Sequence, residues 1–218
     1  MQGRITRSFF GQYAVAWLYL AAVCAAEISY VLLTPSDRAA VLRSVSTSVY
    51  NLEHDPVGSL VASAFFTQGY LLAWPALIAL ALFGANHALG NWRTAVTCAA
   101  AHLIGTLVSE GIVGYRVSHG ELPPTDRYLV DVGMSYVVVS AIAVALLYGG
   151  WLARAGAAVA FVLLIFVGHI FAGLSQLEVP AVGHVLALVT GASLGTFLIR
   201  QRRRKAQALF DYASASSA

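Results

Sequence analysis

Residues 128–148 read YLVDVGMSYVVVSAIAVALLY, an unbroken apolar run whose one charged side chain is Asp131. A helix that crosses a bilayer needs about 20 mostly apolar residues, and this run is long enough. Five further segments have the same character. They run from about Tyr13 to Leu33, Gln68 to Gly84, Trp92 to Val113, Trp151 to Leu174 and Ala181 to Ile199. The whole chain has 218 residues, 59% of them hydrophobic and 11% charged, with a mean hydropathy of +0.74. Soluble domains have about 45–50% apolar and about 25% charged residues. The composition excludes a disordered chain, a coiled coil and a nucleic-acid module. It predicts an all-α membrane protein, a six-transmembrane-helix bundle, with membrane lipid as a partner and no nucleic acid.

The connections are unequal. Residues 34–67 form the longest loop and mix polar residues with Val49, Tyr50, Leu52, Leu60, Val61, Phe65 and Phe66. Such a loop is expected to lie in the membrane interface. Residues 114–127 form a second polar loop carrying Pro123 and Pro124. The other connections are short, which favours antiparallel neighbours. The first apolar run is too long for a cleavable signal peptide and has no clear cleavage site after it. No internal repeat is evident, which disfavours an inverted-repeat transporter. Residues 1–205 therefore read as one membrane domain and residues 206–218 as a short polar tail.

The net charge is +3, and its distribution gives an orientation. With the N-terminus inside and six spans, nine basic residues fall on the inner side: Arg4, Arg7, Arg93, Arg154, Arg200, Arg202, Arg203, Arg204 and Lys205. Four fall outside: Arg38, Arg43, Arg116 and Arg127. Cytoplasmic loops are enriched in Lys and Arg, so both termini are placed in the cytoplasm and the protein in the plasma membrane. The Arg200–Lys205 cluster reads as a stop-transfer anchor, with anionic-lipid binding as the alternative. Cys24 and Cys98 sit in apolar runs and read as small buried hydrophobes. No Cys/His spacing suits a metal, and no cofactor is implied.

Polar side chains within spans are costly and mark function. They are Glu27, His102, Glu110, Asp131, Ser135, His169 and His184. In the six-span arrangement Ser135 lies about seven residues, roughly 10 Å, below the outer end of the fourth segment. His184 lies roughly 5 Å from the outer end of the sixth. His169 falls in the outer half of the fifth, and His102 lies nearer the mid-membrane. A serine needs a neighbouring base to become a nucleophile, and imidazole suits that role near neutral pH. The two must meet within about 3 Å. His184, Gly191 and Gly195 share one helical face, and Gly133 stands two residues before Ser135. Small residues on such faces let helices approach closely. Taken singly, each residue has an ordinary structural role: packing for Ser135 and the glycines, interhelical hydrogen bonding for the histidines and glutamates, capping for Asp131.

The joint order of these residues resembles the rhomboid intramembrane serine proteases. Those have a six-helix core and a long membrane-associated first loop. A Gly-x-Ser-Gly motif on the fourth helix carries the nucleophile, and a His followed seven residues later by Gly carries the base on the sixth. Here the fourth segment reads Gly133-Met134-Ser135-Tyr136, and the sixth has Gly183-His184 with Gly191 seven residues on. The resemblance implies Ser135 and His184 as a catalytic dyad, with Gly133 and Met134 as motif support for the oxyanion and Gly191 and Gly195 as packing residues. It implies cleavage of transmembrane protein substrates with a locally unwound helix, near the outer face. Asp131 reads as a cap or an orienting partner for a histidine, since its charge would oppose an oxyanion.

Four positions depart from the family pattern. Tyr136 stands where the motif has its second Gly and is expected to crowd the oxyanion site. The second segment, around Tyr70-Leu71-Leu72-Ala73-Trp74-Pro75, lacks the usual His and Asn. The aromatic residue that packs on the base would fall at Val139, which cannot stack. The Trp-Arg of the family's first loop is absent from residues 34–67. Two other functions therefore stand beside proteolysis: an inactive rhomboid-like protein that binds transmembrane helices, and a small transporter using Glu27, His102, Glu110 and His169 as a relay.

Overall fold

Short polar residues and prolines punctuate the apolar runs and set the helix starts. The computed structural model of the protein describes residues 9–67 and 73–216. Gln68 and the Tyr70–Leu72 part of the second segment lie outside the described residues. The principal helices are α1 (Ala14–Val31), α2 (Pro35–Val45), α3 (Val49–His54), α4 (Pro56–Ser63) and α5 (Ala73–Leu89). They are followed by α6 (Asn91–Ser118), α7 (Met134–Tyr148), α8 (Trp151–Phe166) and α9 (Val179–Ser216). Among the described residues α1, α6 and the first 34 residues of α9 are long and apolar enough to cross a membrane. The shorter helices α5, α7 and α8 are also apolar.

The residue 34–67 loop is folded. Thr34 caps α2 by accepting from the Asp37 amide, Ser48 caps α3 through the Asn51 amide, and Asp55 caps α4 through the Gly58 amide. Each side chain satisfies an amide that the first turn leaves unpaired. Part of this loop packs against the bundle. Val49 is buried against Val113 and Val179, and Phe65 packs on the core and on Tyr19. Tyr50, Val57 and Val61 remain exposed.

Helix α7 is apolar on every side, which is the pattern of a fully enclosed helix. It sits in the middle of the bundle, with α5, α6, α8 and α9 packed around it. Every residue from Tyr136 to Ala145 is buried. Helix α9 lies against both α6 and α7. A Cβ on Gly191 would come within 2.5 Å of the Ser140 carbonyl oxygen, and one on Gly195 would meet Val144 at 3.0 Å. The α7 and α9 backbones therefore touch at a point where no larger residue fits.

Several segments end differently from the apolar runs: α5 continues to Leu89 and α6 to Ser118, so residues 114–118 of the expected second loop are helical. The fourth becomes helical only at Met134, because residues 124–128 form a 3₁₀ turn and the next four form an extended stretch that ends in a turn at Gly133. That extended stretch is held by the first loop. The Thr47 amide donates to the Asp131 carbonyl at 2.9 Å, and the Asp131 amide donates to Ser46 Oγ at 2.9 Å. The fifth helix stops at Phe166, ahead of a turn through Gly168 and His169, whose φ is +48°. The last helix runs on from Ile199 to Ser216 through the Arg-rich cluster, so residues 206–216 continue it. Gln, Arg, Lys and Ala are strong helix formers, and those exposed here need no packing partner.

Candidate functional site

The first turn of α7 and the first two turns of α9 meet at one end of the bundle. Ser135 is the second residue of α7 and His184 the sixth of α9. Ser135 Oγ and His184 Nε2 are 2.8 Å apart. The other ring nitrogen, Nδ1, lies 2.8 Å from the Ile170 carbonyl oxygen. A carbonyl only accepts, so in the neutral imidazole Nδ1 carries the hydrogen and Nε2 holds the lone pair. The serine hydroxyl then donates to that lone pair. This is the tautomer that a general base requires.

The orienting acceptor comes from the backbone. Ile170 lies in the irregular stretch after α8, where its carbonyl is outside any helical ladder. The left-handed turn at His169 aims that stretch back at the bundle, and the Ile170 amide closes it by donating to the Leu164 carbonyl at 3.2 Å. His169 itself is exposed and past the helix end, so it does not sit in the outer half of the fifth span.

Tyr136 does not crowd the site. Its ring fills a slot between α6 and α9, where a Cβ on Gly183 would fall 2.2 Å from the ring and one on Gly105 3.3 Å. It is fully buried and lies edge-on to the His184 ring, centroids 5.2 Å apart at 77°. An aromatic residue therefore does pack on His184, from the position after the serine instead of one turn later. Val139 is enclosed in the core. The sequence signal for this was the pair of glycines that make room for the ring, and it becomes legible only once α6 and α9 are known to be neighbours.

Asp131 neither caps α7 nor orients a histidine. The N-cap position is Gly133, without a side-chain capping bond. The Asp131 carboxylate instead accepts from the Tyr136 hydroxyl at 3.2 Å and from the Thr47 hydroxyl at 3.3 Å. Tyr136 thus links the ring against His184 to the extended stretch that precedes Ser135. Gly133 is pressed by His102, whose ring a Cβ there would meet at 2.1 Å. Met134 is fully buried. The amides of Met134 and Ser135 stand at the first two helical positions, where no intrahelical acceptor exists. They point out of a helix N-terminus, a setting that favours negative charge.

A cavity of about 340 Å³ opens onto the pair. Ser135 is half-buried at its wall, with Thr67, Trp74, Asp131, Gly168 and Pro180 around it. Trp74 is the contribution of α5, and neither it nor Thr67 was singled out from the sequence. The other intramembrane polar residues are dispersed. Glu27 is buried on α1, His102 bonds to the Leu60 carbonyl at 2.8 Å, and Glu110 lies two turns before the end of α6. Among the described residues no cluster of His, Cys, Asp and Glu side chains could hold a metal ion.

Comparison with known families agrees with this architecture. Residues 7–205 match the model of the rhomboid-like protein family, and the chain belongs to that family. No curated protein and no solved structure matches it significantly. Membership and the apolar helices define a multi-pass membrane protein.

Proposed function

We propose that this protein is an intramembrane serine protease that cleaves transmembrane protein substrates near the outer membrane face through Ser135 and His184. The observation that carries this reading is the 2.8 Å Ser135–His184 contact, combined with the Nδ1 contact to the Ile170 carbonyl that sets the tautomer. The reading places six spans, both termini in the cytoplasm and the plasma membrane as the location. Family membership, the distribution of basic residues and the six apolar helices support it.

In the reaction, His184 Nε2 takes the hydroxyl proton as Ser135 Oγ bonds to the scissile carbonyl carbon. The carbonyl oxygen becomes an oxyanion and is bound by the Met134 and Ser135 amides. The tetrahedral adduct collapses, the C–N bond breaks, and the imidazolium gives its proton to the leaving nitrogen. A water then enters from the outer side. His184 takes its proton, the water oxygen attacks the acyl carbon, and Ser135 leaves with the proton returned. The Ile170 carbonyl fixes the ring throughout and accepts from Nδ1 in both charge states.

A second reading is an inactive rhomboid-like protein that binds transmembrane helices. The Asp131 carboxylate at the wall of the same cavity favours it, because an anion there opposes oxyanion formation. Labelling of purified protein with a fluorophosphonate probe, together with cleavage of a model single-span substrate, separates the two. The protease labels and cleaves, and Ser135→Ala and His184→Ala lose both. Absence of labelling in a well-folded preparation would leave the binding reading.

A further inference from the structure

The end of the bundle opposite Ser135 carries charge of one sign. Ser135 lies in the first turn of α7 and Tyr148 closes that helix, about 20 Å further along its axis. Past Ile199, α9 continues through Arg200, Arg202, Arg203, Arg204 and Lys205, all exposed. The one acidic side chain in residues 200–218 is Asp211, and it accepts from the Gln207 side-chain amide at 2.8 Å. Among the described residues the ion pairs are Arg116–Glu121 and Arg127–Glu53, and neither involves this cluster. Arg154, at the same end, is engaged by the Leu147 carbonyl at 3.0 Å.

A cavity of about 290 Å³ lies here, bounded by Ala88 of α5, Tyr148 of α7 and Ile199, Arg202, Arg203 and Ala206 of α9. The four α9 residues are spaced by three and four, so they share one helix face. Tyr148 fixes the wall. Thr196 Oγ1 donates to the Ala192 carbonyl at 2.6 Å, so the Tyr148 hydroxyl donates to Thr196 Oγ1, also at 2.6 Å. A stop-transfer anchor needs only positive charge past the apolar run. It does not need two guanidiniums facing a recess with apolar walls. That recess sets cations beside Ala88 and Ile199, at the level where the apolar run gives way to the charged one. An anionic phospholipid has the complementary order, a phosphate next to acyl chains. Guanidinium forks match phosphate oxygens, and basic segments just outside a span are drawn to anionic lipid. A soluble phosphate ester would use the guanidiniums and leave the apolar wall uncovered.

We infer that the recess between α5, α7 and α9 binds an anionic phospholipid, with Arg202 and Arg203 donating to its phosphate and Ala88 and Ile199 against the start of its acyl chains. The inference is independent of the protease reading, which concerns the other end of the bundle. The full chain in neutral detergent is titrated with phosphatidylglycerol or phosphatidylcholine, and bound lipid is read by native mass spectrometry. Phosphatidylglycerol is expected to bind about 10-fold more tightly or better. Arg202→Gln combined with Arg203→Gln reduces that preference to about 2-fold. Both side chains are exposed, so their replacement leaves the fold intact. Arg200→Gln combined with Lys205→Gln removes the same charge from other faces of α9 and keeps the preference within about 2-fold of the original. Ala88→Leu fills the recess without changing charge and weakens phosphatidylglycerol binding about 5-fold. Equal affinity for the two lipids would overturn the inference. An equal loss in the two charge variants would do so too, because the attraction would then be diffuse. So would unchanged binding in Ala88→Leu. Displacement of the bound lipid by millimolar glycerol phosphate would make a soluble phosphate ester the occupant and end the lipid assignment.

Discussion

The two buried histidines of the bundle have nearly the same kinds of neighbour, arranged differently around the ring. His184 has a serine hydroxyl on one ring nitrogen and a backbone carbonyl on the other. His102 also has a serine and a carbonyl, but both face its Nε2: the Leu60 carbonyl at 2.8 Å and Ser63 Oγ at 3.3 Å. A carbonyl at 2.8 Å requires the hydrogen on Nε2, so no lone pair faces Ser63. The remaining nitrogen of His102 lies against Gly133. Accessibility repeats the contrast. Ser63 is fully buried, whereas Ser135 stands at the wall of a cavity. Proximity of Ser and His is thus not what distinguishes a reactive pair. What distinguishes it is which nitrogen each neighbour occupies.

The comparison can be broken most directly by substitution of the serines. Ser135→Ala and His184→Ala are each expected to lower cleavage by about 10³-fold or more and to abolish probe labelling. Ser63→Ala leaves labelling of the folded protein in place, and labelling lost equally in both serine variants would end the distinction. The next largest effect comes from the helix contact that sets the spacing of the pair. Gly191→Val pushes α9 off the Ser140 carbonyl, and a misplacement of about 1 Å costs on the order of 10²-fold in rate. This is measured as the rate of probe labelling at saturating probe, with helix content checked by circular dichroism. His102→Ala sharpens the contrast from the other side. Loss of its hydrogen bonds and of its packing on Gly133 destabilises the protein by about 2–4 kcal/mol, read as a lower thermal unfolding midpoint. Labelling per folded molecule changes far less than in the His184 variant. The smallest effect belongs to Tyr136→Phe, which keeps the ring against His184 and removes the hydroxyl bonds to Asp131 and to the Val179 carbonyl. A stability loss of about 1–2 kcal/mol is expected, with a labelling rate within a few-fold of the original.

Much of this was legible in the residues and some was not. The apolar runs fix where helices form, because bilayer thickness sets a length that composition can be read against. The bounds of α1 and the start of α6 follow from that alone, whereas α6 runs on five residues past Val113 into the stretch read as a polar loop. The starts and stops near the site do not. Met134 begins α7 because Ser46 and Thr47, more than eighty residues earlier in the chain, occupy the backbone around Asp131. Nothing local to residues 128–133 announces that partner. The placement of Tyr136 depends on gaps left by Gly105 and Gly183 on two other helices, so an expectation of crowding based on its neighbour Ser135 could not anticipate it. Ser135 and His184 were nameable because few polar residues interrupt the apolar runs. The Ile170 carbonyl was not, since every residue has one and only the fold selects which is used.

That last feature bears on how the protein tolerates change over time. The partner that holds the His184 ring belongs to the main chain, so no replacement of the Ile170 side chain can delete it. Where an acidic side chain does this work, one codon change disarms the base. Here the vulnerable element is the path of the backbone through Gly168 and His169. Insertions, deletions or prolines in that short turn are the changes to which the pair is exposed, while most point substitutions leave its anchor intact.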